Sequence, residues 1–249
     1  MERVVERFSS EPGMLAVLVG GSVAHGLARP DSDVDFMLVL DDEAAARMPE
    51  TFFDASAADY DGGYADFKAF GRGFLDEVAE RGSEPARWAF EDAIVAWSGD
   101  DGVEGAVRAA AAYPETEREQ KLRDLVGHAG IAAWYVGEAE RRGEPYLTQW
   151  SSVQTVLYAG RVVLAHNRCL FPFHKWFLHA LEAVPERPPA LMADVHELLA
   201  APRRETATRL VEGVQELTGL RLPIGESALS FARRTELAWR TGSAPFAES

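Results

Sequence analysis

The stretch Val19-Gly-Gly-Ser-Val-Ala-His-Gly-Leu-Ala-Arg-Pro-Asp-Ser-Asp-Val-Asp-Phe-Met-Leu-Val39 decides how the first half of this chain folds. Leu15-Ala-Val-Leu-Val19 leads into it as a compact apolar run ended by Gly20-Gly21. Val34-Asp-Phe-Met-Leu-Val-Leu40 leads out of it as another, ended by Asp41-Asp42. Both read as buried strands. The two glycines let the backbone turn tightly off the first strand. Ser22 then stands where a helix begins, with free N–H groups and a hydroxyl expected to face outward, a place that suits a phosphate.

Asp33 and Asp35 sit two apart at the head of the second strand, so a period of two puts both carboxylates on one face while Val34 and Phe36 enter the core. Carboxylates held side by side repel, and a divalent metal relieves that repulsion. Hard oxygen ligands of this kind suit Mg²⁺ carried in with nucleotide phosphates. Asp66 supplies a third carboxylate from a further short apolar segment, with Tyr64 and Phe67 around it and Lys68 on its face. If that strand's register slips, Asp59 or Asp61 is the alternative that sits nearby. Three carboxylates on neighbouring strands can hold two metal ions about 3.5–4 Å apart, which fits in-line phosphoryl or nucleotidyl transfer.

The rest of the first half agrees with a small mixed sheet carrying helices. Asp59-Tyr-Asp-Gly-Gly63 is a turn signal between Thr51-Phe-Phe53 and Tyr64–Phe70, which predicts a hairpin there. Phe74–Arg81 reads as a helix and Ala93-Ile-Val-Ala-Trp97 as a further strand. Beyond Tyr113-Pro114 the pattern changes. Glu115–Arg142 carries Leu122, Leu125, Val126, Ala129, Ala132, Ala133 and Val136 at spacings of three and four, with acidic residues in its first turn and Arg141-Arg142-Gly143 at its end. Similar segments follow at 149–167, 173–183, 189–200 and 203–218, which predicts an antiparallel bundle of about five helices. The expected fold is therefore α+β at residues 1–112, a mixed sheet with helices, followed by an all-α bundle at 113–249.

With 249 residues there is ample length to bury a core in each part. The formal charge is −15. Residues 1–112 hold 23 acidic and nine basic side chains, while the remainder holds 17 and 16. Such a balance argues against a surface that tracks nucleic-acid phosphates or anionic lipid, so neither nucleic acid nor membrane is an expected partner. It suits a cationic small molecule. The opening Met1-Glu-Arg-Val-Val-Glu-Arg7 lacks the apolar core of a secretory signal, and no apolar run approaches the ~18 residues of a membrane span. The single cysteine, Cys169, lies in an apolar stretch. A reduced cytoplasmic protein with a buried thiol is expected, as a monomer or homodimer.

Gly20-Gly21-Ser22, ten intervening residues, Asp33-Val-Asp35, and a separate hydrophobic–Asp–hydrophobic unit at Asp66 together resemble the active-site signature of the DNA polymerase beta-like nucleotidyltransferase superfamily. Gly26, Ala28-Arg29 and Ser32 match the form common in its small-molecule members, such as aminoglycoside nucleotidyltransferases. The resemblance covers about the first 100 residues and implies that fold. It implies that Gly21 and Ser22 contact a nucleoside triphosphate, that Asp33 and Asp35 hold two Mg²⁺ ions, and that Asp66 completes one metal site and accepts the acceptor's proton. The implied reaction moves AMP from ATP to the hydroxyl of a small acceptor, an aminoglycoside-like antibiotic being one, and releases pyrophosphate.

The resemblance further implies that the helical domain packs over the cleft and lends cations to the triphosphate. Only Lys68, Lys121 and Lys175 are lysines, and His166-Asn-Arg-Cys-Leu-Phe-Pro-Phe-His-Lys-Trp176 gathers Arg168, His174 and Lys175 at a helix junction. Arg168 and Lys175 are therefore the candidates, against the alternative of a solvated basic rim. Glu138, Glu140 and Glu144 offer an acceptor-binding or base carboxylate, or else an ordinary solvated helix end. His166, His174 and His179 share no helical face, so zinc is not expected. A different class is a module of toxin–antitoxin type that transfers AMP to a protein partner or carries an RNase domain resembling the HEPN type. Arg161-Val-Val-Leu-Ala-His166 and Arg168–His174 meet that motif's loose Arg–His spacing.

Overall fold

The computed structural model describes residues 1–48, 64–240 and 242, and its contacts divide the chain into two compact units, Met1–Ala112 and Tyr113–Ser249. The first unit is built on a four-stranded mixed sheet in the order β3-β2-β1-β4, with β1 at Met14–Val19, β2 at Val34–Leu40, β3 at Ala65–Gly71 and β4 at Ile94–Ser98. β1 runs antiparallel to β2 and to β4, whereas β2 and β3 are parallel. The expected hairpin lies largely outside the described residues, since Thr51–Phe53 and the turn at 59–63 fall there, as do Asp59 and Asp61; the described partner of β3 is β2.

Alternation along the strands makes two cores. Val17, Val19, Phe36, Leu38, Ala65 and Phe67 fill one face together with Val4 of α1 (Glu2–Phe8). Ala16, Leu18, Met37 and Val39 fill the other against Leu75 and Val78 of α4 (Arg72–Arg81) and Val103 and Val107 of α6 (Val103–Ala110). α2 (Gly21–Ala24), α3 (Asp42–Ala45) and α5 (Glu84–Trp88) are single-turn connections. β2 is covered on both sides, which is why it reads as a nearly unbroken apolar run. Behind α5, the buried Arg87 guanidinium donates to the carbonyls of Gly82, Ala79 and Ala112 at 2.9–3.1 Å, satisfying groups that the helix ends leave open.

The second unit opens with a 3₁₀ turn at Glu115–Glu117 and a helical hairpin, α7 (Arg118–Arg142) and α8 (Pro145–His166). Gly143 takes a left-handed conformation at φ +64° between them, and the Glu144 side chain accepts from the Tyr146 N–H to cap α8. α9 (Phe177–Ala183), α10 (Leu191–Ala200) and α11 (Arg204–Thr218) pack on this hairpin around a core that includes Leu125, Tyr158, Phe171, Leu181 and Leu210. Gly160 lets Phe177 close in, because a Cβ there would stand 2.3 Å from its ring.

The bundle has one helix more than the apolar spacing predicts. α12 (Ile224–Arg234) buries only Ser227 and is held to α7 by the Phe231 ring 5.2 Å from that of His128 and by polar contacts: buried Asp124 accepts from Ser230 Oγ at 2.7 Å and from Arg234 at 2.7 and 3.1 Å. Cys169 is half-buried rather than buried, packed at the margin of the helical core. Among the described residues no helix is long and apolar enough to cross a membrane.

Candidate active site

The parallel register sets Val34 beside Ala65 and Asp35 beside Asp66. Asp33, Asp35 and Asp66 therefore leave the sheet on the face that continues inward as Met37 and Val39, at the point where that apolar layer ends. One carboxylate oxygen from each lies within 4.8 Å of the others. Among the described residues no other group of three His, Cys, Asp or Glu side chains comes together in this way. The crowding raises the negative potential locally. Tyr64, whose hydroxyl hydrogen-bonds Asp33, has its phenol pushed above the ordinary value by the Asp33 charge first, then by desolvation and by Asp66 and Asp35.

Gly21 closes the site from the other side. Its φ is +61°, and a Cβ there would fall 1.9 Å from Asp35 Oδ2, so only glycine lets the turn and the carboxylate coexist. The Gly20 N–H donates to the Asp35 carbonyl at 2.9 Å, tying the turn to β2. The outward-facing Ser22 hydroxyl expected from the sequence is a correction. Ser22 is 4% exposed, because the chain turns at Gly26 and the Leu27 N–H returns to the Ser22 carbonyl at 2.8 Å. Its Oγ has no hydrogen-bond partner among the described residues, and neither has His25 Nε2 one turn on, where the ring stacks on Trp88 at 3.9 Å. A buried hydroxyl left unpaired is costly, and this one sits next in sequence to Gly21, whose backbone closes on Asp35.

The donor set fits a hard divalent cation. Three carboxylates supply oxygen ligands only, and their mutual repulsion is relieved by positive charge. Lys68 already supplies some of it: its Nζ stands 3.2 Å from Asp35 Oδ1. Alternation places Lys68 on the Asp66 face, and the parallel pairing of β3 with β2 gives it Asp35 as partner, a contact not visible from either segment alone.

The second unit's predicted residues are engaged within that unit. Arg168, at φ +57°, makes a bidentate pair with Glu115 at 2.8 and 2.9 Å, which raises its pKa above the ordinary arginine value. Lys175 Nζ lies 5.4 Å from the Trp176 ring centroid. Glu138 pairs with Arg141 and Arg142, Glu140 accepts from Arg203 and from the Arg204 N–H, and Glu144 caps α8. All three therefore serve the fold. Arg161 is 1% exposed with its guanidinium over Phe171, which removes it from contact with RNA, and His166 pairs with Glu186 at 3.1 Å.

Residues 1–82 match the family described as nucleotidyltransferase domain. No curated protein matches the chain. Among solved structures, a nucleotidyltransferase-like protein from Exiguobacterium sibiricum 255-15 is similar at 11% identity over 93% of this chain and 76% of that one, with a TM-score of 0.49.

Proposed function

We propose that this chain, whose residues 1–82 match a nucleotidyltransferase domain, moves AMP from ATP to a hydroxyl of a small molecule and releases pyrophosphate. The observation that carries this reading is the meeting of Asp33, Asp35 and Asp66 within 4.8 Å, with Gly21 closed against Asp35 and the unpaired Ser22 hydroxyl next to it. Asp33, Asp35 and Asp66 would hold Mg²⁺, two ions by the family's pattern. When bound, Mg²⁺ neutralises phosphate charge and lowers the barrier to displacement at phosphorus.

The chain's own groups do the rest. Ser22 Oγ, which has no hydrogen-bond partner among the described residues, and the Gly21 N–H would orient the triphosphate. Asp66 accepts the proton of the acceptor hydroxyl, whose oxygen then bonds to the α-phosphorus as the bond to pyrophosphate breaks. Arg168 and Lys175 are the further cations proposed to bind the nucleotide. The excess of acidic residues at 1–112 favours a polycationic acceptor of aminoglycoside type.

The test is α-labelled ATP with Mg²⁺ and either a panel of aminoglycosides and lincosamides or a cell lysate. Label in a small molecule is expected. Label in one protein band instead would favour transfer of AMP to a protein partner, and RNA cleavage that survives Asp33→Ala would favour a nuclease, for which the burial of Arg161 leaves no exposed arginine in the 161–166 motif.

A further inference from the structure

Among the described residues, Lys68 alone of the nine basic side chains at 1–112 contacts one of the three carboxylates. Five arginines of this unit, at positions 29, 47, 72, 81 and 108, pair with carboxylates two to four positions away, and Arg87 is buried on backbone carbonyls. Asp35 itself is divided between two neighbours. Its Oδ2 lies against Gly21, where there is no room for a Cβ, and its Oδ1 faces the Lys68 ammonium at 3.2 Å. A divalent cation shared by the three carboxylates has to take an Asp35 oxygen, and Lys68 already neutralises that carboxylate through Oδ1.

The two partners are unequally fixed. The Asp35 side chain is 21% exposed and pinned between β3 and the Gly21 turn, whereas the Lys68 side chain is 46% exposed on a flexible four-carbon stem. An ammonium and a divalent cation on one carboxylate repel, so the mobile partner yields. The nearest new anion is the phosphate chain that Ser22 and Gly21 would orient. Resting on the nucleotidyl-transfer reading above, we propose that Lys68 couples the two ligands of the site: its ammonium occupies Asp35 while the divalent cation is absent and passes to the triphosphate when the nucleotide arrives. Lys68 thus acts as a built-in counter-ion that keeps bare metal weakly bound and rewards metal brought with phosphate.

Mn²⁺ without nucleotide and ATP with the non-reactive ion Ca²⁺ are titrated calorimetrically into wild-type protein, Lys68→Met and Lys68→Arg, with melting curves as a check on folding. For a half-exposed pair the lost competition is worth about two- to fivefold, so Lys68→Met should bind Mn²⁺ tighter by that factor. The same variant should bind Ca²⁺-ATP about tenfold more weakly, and Lys68→Arg should restore both values. If either affinity is unchanged in Lys68→Met, the coupling is overturned while the transfer reading stands. If neither wild type nor Lys68→Met binds Mn²⁺, both fail.

Discussion

Replacing Gly21 with alanine separates the backbone's needs from the site's. At φ +61° an L-residue costs about 1–2 kcal/mol relative to glycine. The added methyl would also stand 1.9 Å from Asp35 Oδ2, and since such contacts are not tolerated below 3.0 Å the carboxylate must retreat by about 1 Å or more. Metal–ligand distances hold to within about 0.2 Å, and a misplacement of about 1 Å at a reacting centre costs about 10²-fold. Gly26→Ala is the matched control, because Gly26 has φ +67° with nothing within 4 Å of a Cβ, so it bears the backbone cost alone. Both variants should lose about 1–2 kcal/mol in urea unfolding. Only Gly21→Ala should lose Mn²⁺ binding and about 10²-fold or more in transfer of label from ATP. Transfer by Gly21→Ala within a few-fold of Gly26→Ala would refute the claim that the Gly21 turn and Asp35 form one unit.

Two further predictions concern the helical unit. Asp124→Ala removes the acceptor for Ser230 and Arg234, and should cost about 2–3 kcal/mol and release α12, seen as faster amide exchange over 224–234 with the α7–α8 hairpin still protected. His128 is fully buried with Nδ1 2.7 Å from the Asp124 carbonyl, and burial pushes its pKa from 6.5 down to about 4. The unfolded chain therefore takes up a proton below pH 6.5 that the native unit refuses, so this contribution is present in full above pH 6.5 and is lost as the pH falls toward 4. Urea unfolding should show about 2 kcal/mol lost between pH 7 and pH 5, a slope that His128→Leu should flatten; equal slopes in the two proteins would contradict it.

Much of the site was legible because its residues lie where period and punctuation are strongest. Gly20-Gly21 ends one buried strand and Asp33/Asp35 begin another, so the placement of β1 and β2 follows from the apolar runs alone. Asp66 needed a pairing, and pairing is a long-range property: only the parallel register of β2 with β3 sets it beside Asp35 and brings Lys68 onto the same carboxylate. The buried state of Ser22 depends on the turn at Gly26, which spacing does not encode. In the second unit α8 begins at Pro145, ahead of the expected 149, because Pro145 at the first helical position and the Glu144 cap start the helix one turn earlier. α9 begins at Phe177 rather than 173, since Phe173 sits at φ +64°. α12 escaped notice because charge and hydroxyl contacts to Asp124 and the Phe231 ring against His128, not an apolar stripe, dock it.

The proposed transfer needs a divalent cation held by Asp33, just ahead of β2, and by Asp35 and Asp66 on the parallel strands β2 and β3. It is tested most directly by measuring Mg²⁺-dependent transfer of label from α-labelled ATP by wild type and by Asp33→Ala, Asp35→Ala and Asp66→Ala, each with its melting curve. Losses of about 10³-fold or more are expected in every variant, with unfolding midpoints near wild type, because relief of repulsion among like charges offsets the lost Lys68 and Tyr64 contacts. A folded Asp33→Ala or Asp35→Ala protein that transfers at the wild-type rate would contradict it.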